Sequence, residues 1–375
     1  MKRLRILLSG MIAGTPRQGG ATWAVLQYVL GFRRLGHEVC LVEPVGEEAL
    51  ADAEPYFREV AREFELEGSA ALVARGSRAT IGMPYADVRR WAKYADLLVN
   101  VSGMLADEEL VSAAPIRLYL DLDPAFNQLW CAAEGIDVGL DGHTHYATVG
   151  QALGRNGCAV PTCGVDWIPT LPPVVLERWP VAGPVEHDGL TTVGNWRSYA
   201  SIEYGGVRYG QKAHSLRPLF ALPRLSGETF LLGLAIHPDE RADLEALEEN
   251  GWLLLDAEAV AGTPERYRRF VQGSRAELGL AKEGYVVSRC GWFSDRSACY
   301  LASGRPVLAQ DTGLGDALPT GEGLLTFSTL EEAVAGIDML RRDYPRHART
   351  ARAIAEEHLD SDKVLTRLLE AVGAA

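Results

Sequence analysis

No stretch of this chain approaches the length of apolar sequence that a membrane-spanning helix needs. The basic amino terminus is followed only by a short apolar run at 6–8 before Ser9 and Gly10 interrupt it, too little for a secretory core. A cytoplasmic protein with no integral membrane segment is therefore expected. Cysteine is sparse: six residues, at 40, 131, 158, 163, 290 and 299, are scattered over 375, and no Cys-x-x-Cys pair has zinc spacing. They read as reduced, structural thiols. Positive charge is in deficit, with a formal net charge of −13, which argues against nucleic acid as a partner because phosphate backbones call for basic surfaces. Also missing is a Gly-x-Gly-x-x-Gly turn after the first strand, which makes a nicotinamide enzyme a weak reading. Internal repeats are absent too, which argues against a solenoid.

What remains is a globular chain, 47% apolar, long enough for two domains of ordinary size. A strand at 5–8, a helix at 23–35 closed by Gly36 and a strand at 39–42 form a β-α-β opening. Between strand and helix runs a Gly-rich loop in which Arg17, Gly19 and Gly20 stand out. Further strands at 96–101 and 117–120 follow, and the second leads into Asp121, Leu122, Asp123, Pro124. Asp-x-Asp suits a divalent metal, but a lone carboxylate at a strand end also serves as a base or an acceptor-orienting group, and Asp123 is a candidate for that work. His143 and His145 precede an expected helix and are candidates to take a proton near neutral pH. Pro, Gly and polar residues then dominate 179–188, where the domain boundary is placed. The expected units are 1–180, 189–355 and a terminal helix at 356–375. In the second unit a strand opens at Leu190, a helix starts near Gln211 and Lys212, and strands at 229–236 and 252–255 end at His237 and Asp256.

The richest segment is SDRSACYLASGRPVLAQDTG. Ser294 and Asp295 start an amphipathic helix whose free amides and positive dipole end suit an anion. Gly304 ends it, Pro306 turns the chain, and an apolar strand at 307–309 delivers Gln310, Asp311, Thr312 and Gly313 to a carboxyl edge, where open α/β sheets bind ligands.

The order Gly-x-Pro-Val, Thr-Gly, Gly-x-Gly-Leu-Leu and then a Glu-Glu-Ala helix, from Gly304 to Ala333, resembles the carboxyl-terminal half of glycosyltransferases with the GT-B fold. The stretch from Pro161 to Pro173 resembles a bacterial group of uncharacterised GT-B proteins. This resemblance implies an α/β protein with two facing Rossmann-like domains, parallel sheets flanked by helices, and a nucleotide diphosphate sugar (UDP, dTDP or GDP) held mainly on the second. It also implies metal-independent transfer with no cofactor beyond that co-substrate. Gly194, Arg197 and Lys212 approximate the clamp such enzymes place on the donor diphosphate. His237, Glu277, Ser294, Asp295, Arg296, Ser297, Asp311, Thr312 and Gly313 complete the implied donor site, and Arg17, Gly19 and Gly20 face the cleft to meet phosphate or acceptor. Retaining members carry paired glutamates before the Gly-x-Pro-Val turn. Here Gly291 and Cys299 stand at those positions, and Glu277 matches the first only if 281–294 is an insertion. Stereochemistry is left open. The expected activity is sugar transfer to a small molecule, such as a natural product or envelope precursor. Alternatives are a GT-B sugar-nucleotide epimerase and a catalytically silent nucleotide-sugar-binding partner.

Overall fold

The computed structural model describes residues 2–375. The first half builds an eight-stranded sheet from β1 (Arg5–Ser9), β2 (Glu38–Val45), β3 (Ala70–Ala74), β4 (Thr80–Gly82), β5 (Leu97–Val101), β6 (Ile116–Asp121), β7 (His145–Thr148) and β8 (Trp167–Pro169), in the order β4-β3-β2-β1-β5-β6-β7-β8. Every pairing is parallel except β3 with β4. Strands such as β5, LLVNV, are buried along their whole length, as a sheet covered by helices on both faces requires.

A second sheet of six strands follows: β9 (His187–Asn195), β12 (Phe230–Ala235), β13 (Leu253–Leu254), β14 (Ser274–Gly279), β15 (Val307–Gln310) and β16 (Leu324–Phe327), ordered β13-β12-β9-β14-β15-β16 and parallel throughout. A small hairpin, β10 (Ile202–Tyr204) with β11 (Val207–Tyr209), stands outside it. The two sheets are the cores of two facing Rossmann-like domains. Chain direction makes the carboxyl ends of β1, β6 and β7 in one sheet and of β9 and β12 in the other deliver their loops to a shared cleft.

The domains are packed as well as linked. Helix Gly19–Arg34 buries Trp23 against Trp179, ring centroids 5.2 Å apart, and donates its indole N–H to the Pro264 carbonyl at 2.9 Å. The final helix, Ser361–Ala371, lies on Gly19–Arg34, where Leu365 reaches the bare Cα of Gly31.

The helix expected after His145 is a strand instead. β7 pairs Leu118 with His145 and Asp121 with Thr148, and the chain then bridges from Gly150 to Trp292 of the other domain. Tyr146 and Thr148 in HYAT are residue types that favour a strand.

Candidate functional site

A cavity of about 670 Å³ occupies the cleft between the two sheets. Its second-domain floor is the start of helix Asp295–Ala302. Ser294 is the cap, in extended conformation, with its hydroxyl accepting from the Arg296 amide at 3.2 Å. This satisfies one of the free amides and leaves the dipole end facing the cavity.

Around that helix start stand cations. Lys212, first residue of helix Lys212–Leu216, is 8% exposed, and its Nζ donates to the Leu280 carbonyl at 3.3 Å. It has no carboxylate partner among the described residues. Burial, with the Arg296 and Lys282 charges adding to it, holds its pKa well below the ordinary lysine value. Arg296 is anchored instead: Nε meets Glu277 at 2.5 Å, and the other nitrogens reach the carbonyls of Val193 at 3.1 Å and Leu280 at 3.2 Å. Gly194 lies between, at φ +152°, and a Cβ there would come within 3.4 Å of the Lys212 ammonium. The absence of a side chain keeps that cation open to the cavity.

The first domain supplies the facing wall. Leu122, Val149, Pro172 and Pro173 give it an apolar surface beside Met11, and Asp123 is its carboxylate. The loop after β1, which carries Met11 and Arg17, is pinned by Glu43, fully buried and accepting the amides of Ile12, Ala13 and Gly14 at 3.0, 2.9 and 2.5 Å. Burial pushes the Glu43 carboxyl up to about 6 despite those three donors.

Several residues chosen from the sequence meet at this cavity: Arg17, Gly20, Asp123, Gly194, Lys212, Ser294, Asp295 and Arg296 all line it. Asp295 is half-buried there, with its carboxyl pushed up by burial. Others lie elsewhere. Arg197 turns to the surface, ion-paired with Glu240 and 3.3 Å from His214, so it forms no clamp with Lys212. Glu277 sits beneath the floor, wholly buried under Arg296, and reaches no sugar hydroxyl. Ser297 is buried behind the helix start. His237 is exposed beside Asp239.

Asp311, Thr312 and Gly313 buttress rather than line. Thr312 Oγ1 donates to the Trp292 carbonyl at 2.6 Å, Asp311 pairs with Arg289, and Gly313 lets the chain approach the Arg289 carbonyl, which a Cβ would meet at 2.8 Å. Together they hold the 289–293 loop whose Trp292 and Phe293 line the cavity. Gly19 serves packing, because a Cβ there would sit 2.2 Å from the Thr263 carbonyl.

The expected proton-handling residues change most. His143 bonds to Asn100 and Leu140, each at 3.1 Å, and His145 to Thr144, near the amino end of β7 and away from the cavity lining. Burial lowers the His143 pKa. Asp121 is saturated by Asn127, Gln128, Thr148 and the Asp123 amide, so Asp-x-Asp presents one carboxylate to the cleft rather than two. Asp123 does line the cavity, but its oxygens accept from Lys282, Tyr199 and Tyr285, which ties up the lone pairs a base would use. Those three partners went unread in the sequence. Lys282 and Tyr285 fall in 281–294, which one alignment treats as an insertion, although Lys-x-x-Tyr puts both on one turn of helix Glu283–Ser288 and its cap.

Set beside solved structures, the whole chain aligns with sugar-transferring enzymes built on two facing sheets. An alpha-glucosyltransferase in complex with UDP and a 13-mer DNA matches at TM-score 0.64 and 12% identity, over 99% of this chain and 100% of that one. The fold is GT-B. Anabaena Alr3699/HepE in complex with UDP and glucose matches at TM-score 0.60 and 12% identity over 100% of both chains. A glycosyltransferase from Rickettsia africae matches at 0.55 and 11%, over 99% and 98%. No family model matches the sequence, and no curated protein matches it either. One expectation falls here. Net negative charge was taken to exclude a nucleic-acid partner, yet an enzyme of this same GT-B architecture is solved with DNA, so the exclusion is withdrawn.

Proposed function

We propose that this chain transfers a sugar from a nucleoside diphosphate sugar to a hydroxyl acceptor held against the first-domain wall of the cleft. The observation that carries the reading is Lys212: a lysine buried at the cavity floor with no carboxylate partner among the described residues, beside Arg296 and a helix amino terminus. Such a cation is costly until an anion arrives. Breaking the anomeric C–O bond leaves negative charge on the departing diphosphate, and fixed cations and amide dipoles in a closed cleft stabilise that charge as it develops. On this reading Lys212 and the amides after Ser294 receive the diphosphate, with Arg296 locked by Glu277 as a preorganised neighbour. UDP is the first nucleotide to try, because the alpha-glucosyltransferase and HepE structures hold it.

A small hydroxylated molecule is the proposed acceptor. The apolar wall of Leu122, Val149, Pro172 and Pro173 supports it. A thermal-shift panel of nucleotides and nucleotide sugars, followed by turnover with small hydroxylated compounds and with DNA containing hydroxymethylated bases, tests the proposal. Nucleotide stabilisation plus a glycosylated small molecule is the expected result. Product without acceptor would mean an epimerase, binding without turnover a silent partner, and no response to any nucleotide would end the reading.

A further inference from the structure

The two domains touch through two separate apolar clusters. One contains both chain crossings: Val174, Val175 and Trp179 of the outgoing linker, and Ile354, Ala355 and Leu359 of the returning segment, tied by the Val174 amide donating to the Leu359 carbonyl at 2.7 Å. No chain connection runs through the other, where Phe126 and Leu129 of the first domain meet Tyr209, Ala281 and Tyr285 of the second. A cleft tied covalently on one side opens, if it opens, at the other.

At that untied side sits one ammonium. Lys282 Nζ donates to both oxygens of Asp123, at 3.0 and 2.9 Å, and to the Tyr199 hydroxyl. Tyr199 and Tyr285 donate their own hydroxyls to the same carboxylate. Aromatic rings complete the enclosure, with centroids 4.3 Å (Tyr199), 5.0 Å (Phe126) and 5.2 Å (Tyr285) from the nitrogen. Cation and carboxylate are 16% and 25% exposed, so the pair is little screened by water. Asp123 and Phe126 belong to the first domain, the rest to the second, and Asp123, Lys282 and Tyr285 also line the cavity.

We propose that Lys282 is a positioning residue: caged by Asp123 and Phe126 across the cleft and by Tyr199 and Tyr285 on its own side, it clasps the free edge of the two domains and fixes the spacing between acceptor wall and diphosphate floor. The clasp itself is independent of the reaction, whereas its effect on turnover rests on the transfer reading above.

The test measures spacing first. Spin labels carried on unnatural amino acids at exposed positions Tyr94 and Leu253, one in each domain, report the interdomain distance without touching native thiols. The wild type gives one narrow distribution. Lys282→Met and Asp123→Asn add a longer-distance population, raised about tenfold or more for loss of hydrogen bonds to a charged group, and Lys282→Arg restores the narrow distribution in part. Tyr199→Phe, which keeps the ring and loses the hydroxyl's bonds to Asp123 and Lys282, only the first of them across the cleft, gives a smaller broadening and decides the matter should Lys282→Met fail to fold. An unchanged distribution in folded variants overturns the clasp. In turnover, Lys282→Met lowers kcat by a larger factor than it changes UDP affinity. Intact kcat alongside a broadened distribution overturns the positioning role alone, and absence of any turnover in wild type bears on the transfer reading rather than on the clasp.

Discussion

Lys212→Met separates a binding cation from a structural one, because it moves stability and affinity in opposite directions. Methionine keeps the stem that packs at 8% exposure and removes only the ammonium. That ammonium is crowded: burial and the charges of Arg296 and Lys282 depress its pKa, and its sole hydrogen bond among the described residues is a long one, 3.3 Å, to a carbonyl. Removing it relieves the unliganded protein, so the melting temperature of Lys212→Met is expected at or above that of the wild type. Nucleotide binding goes the other way. Truncating one partner of a buried charged contact costs ~2–5 kcal/mol, about 30-fold to 5,000-fold in Kd. Calorimetric titration with UDP measures the affinity, and thermal unfolding with and without UDP measures both arms on one sample. A variant that binds UDP as tightly as wild type, or one that melts well below it in the absence of ligand, would refute the reasoning by showing that the ammonium holds the fold rather than an anion.

Because burial depresses the Lys212 pKa and a bound diphosphate would restore it, binding should draw in a proton, so affinity falls as pH rises; titrations in buffers of different ionisation enthalpy reveal the uptake, and its absence would place the diphosphate elsewhere. Arg296→Met leaves the fully buried Glu277 carboxyl without its ion-pair partner, which should cost about 3–5 kcal/mol of stability in denaturant unfolding, and much of that loss should return in the Arg296→Met, Glu277→Leu double variant. For Glu43 the folded pKa, about 6, lies above the ordinary 4.5, so its stabilising share is present below 4.5 and lost as pH climbs past 6. Relative to Glu43→Gln, the wild type should therefore lose about 2 kcal/mol between pH 4.5 and 7. Gly194→Ala should weaken UDP binding by setting a methyl group against the Lys212 ammonium, at a backbone cost of about 1–3 kcal/mol; a variant that binds normally would remove that glycine from the site.

Local pattern carried much of the fold and part of the site. The segment 294–313 is legible because its signals are short-range: a Ser cap, apolar residues on one helical face, a Gly stop and a Pro turn, and the structure has helix Asp295–Ala302 and β15 there. Likewise Leu324–Phe327 reads as an apolar run between a Gly turn and a Thr cap. β14 lacks that signal, since SRAELG interrupts its apolar residues with charges, which are absorbed by partners distant in sequence: Glu277 by Arg296 and Arg275 by Glu228. Arg197 shows the same limit from the other side. Its place after a strand suits a phosphate clamp, but Glu240 stands ready to take its guanidinium, and only the folded chain brings them together. Asp123 was singled out for its place at a strand end, while its use depends on Lys282, Tyr199 and Tyr285, all from the opposite domain.

The central claim is that a diphosphate settles between Lys212 and the amides that follow Ser294. A crystal structure of the chain with UDP measures it directly. The account predicts phosphate oxygens within hydrogen-bond distance of Lys212 Nζ and of the backbone nitrogens at the start of helix Asp295–Ala302. UDP bound elsewhere on the surface, with that corner of the cleft left to solvent, would contradict it.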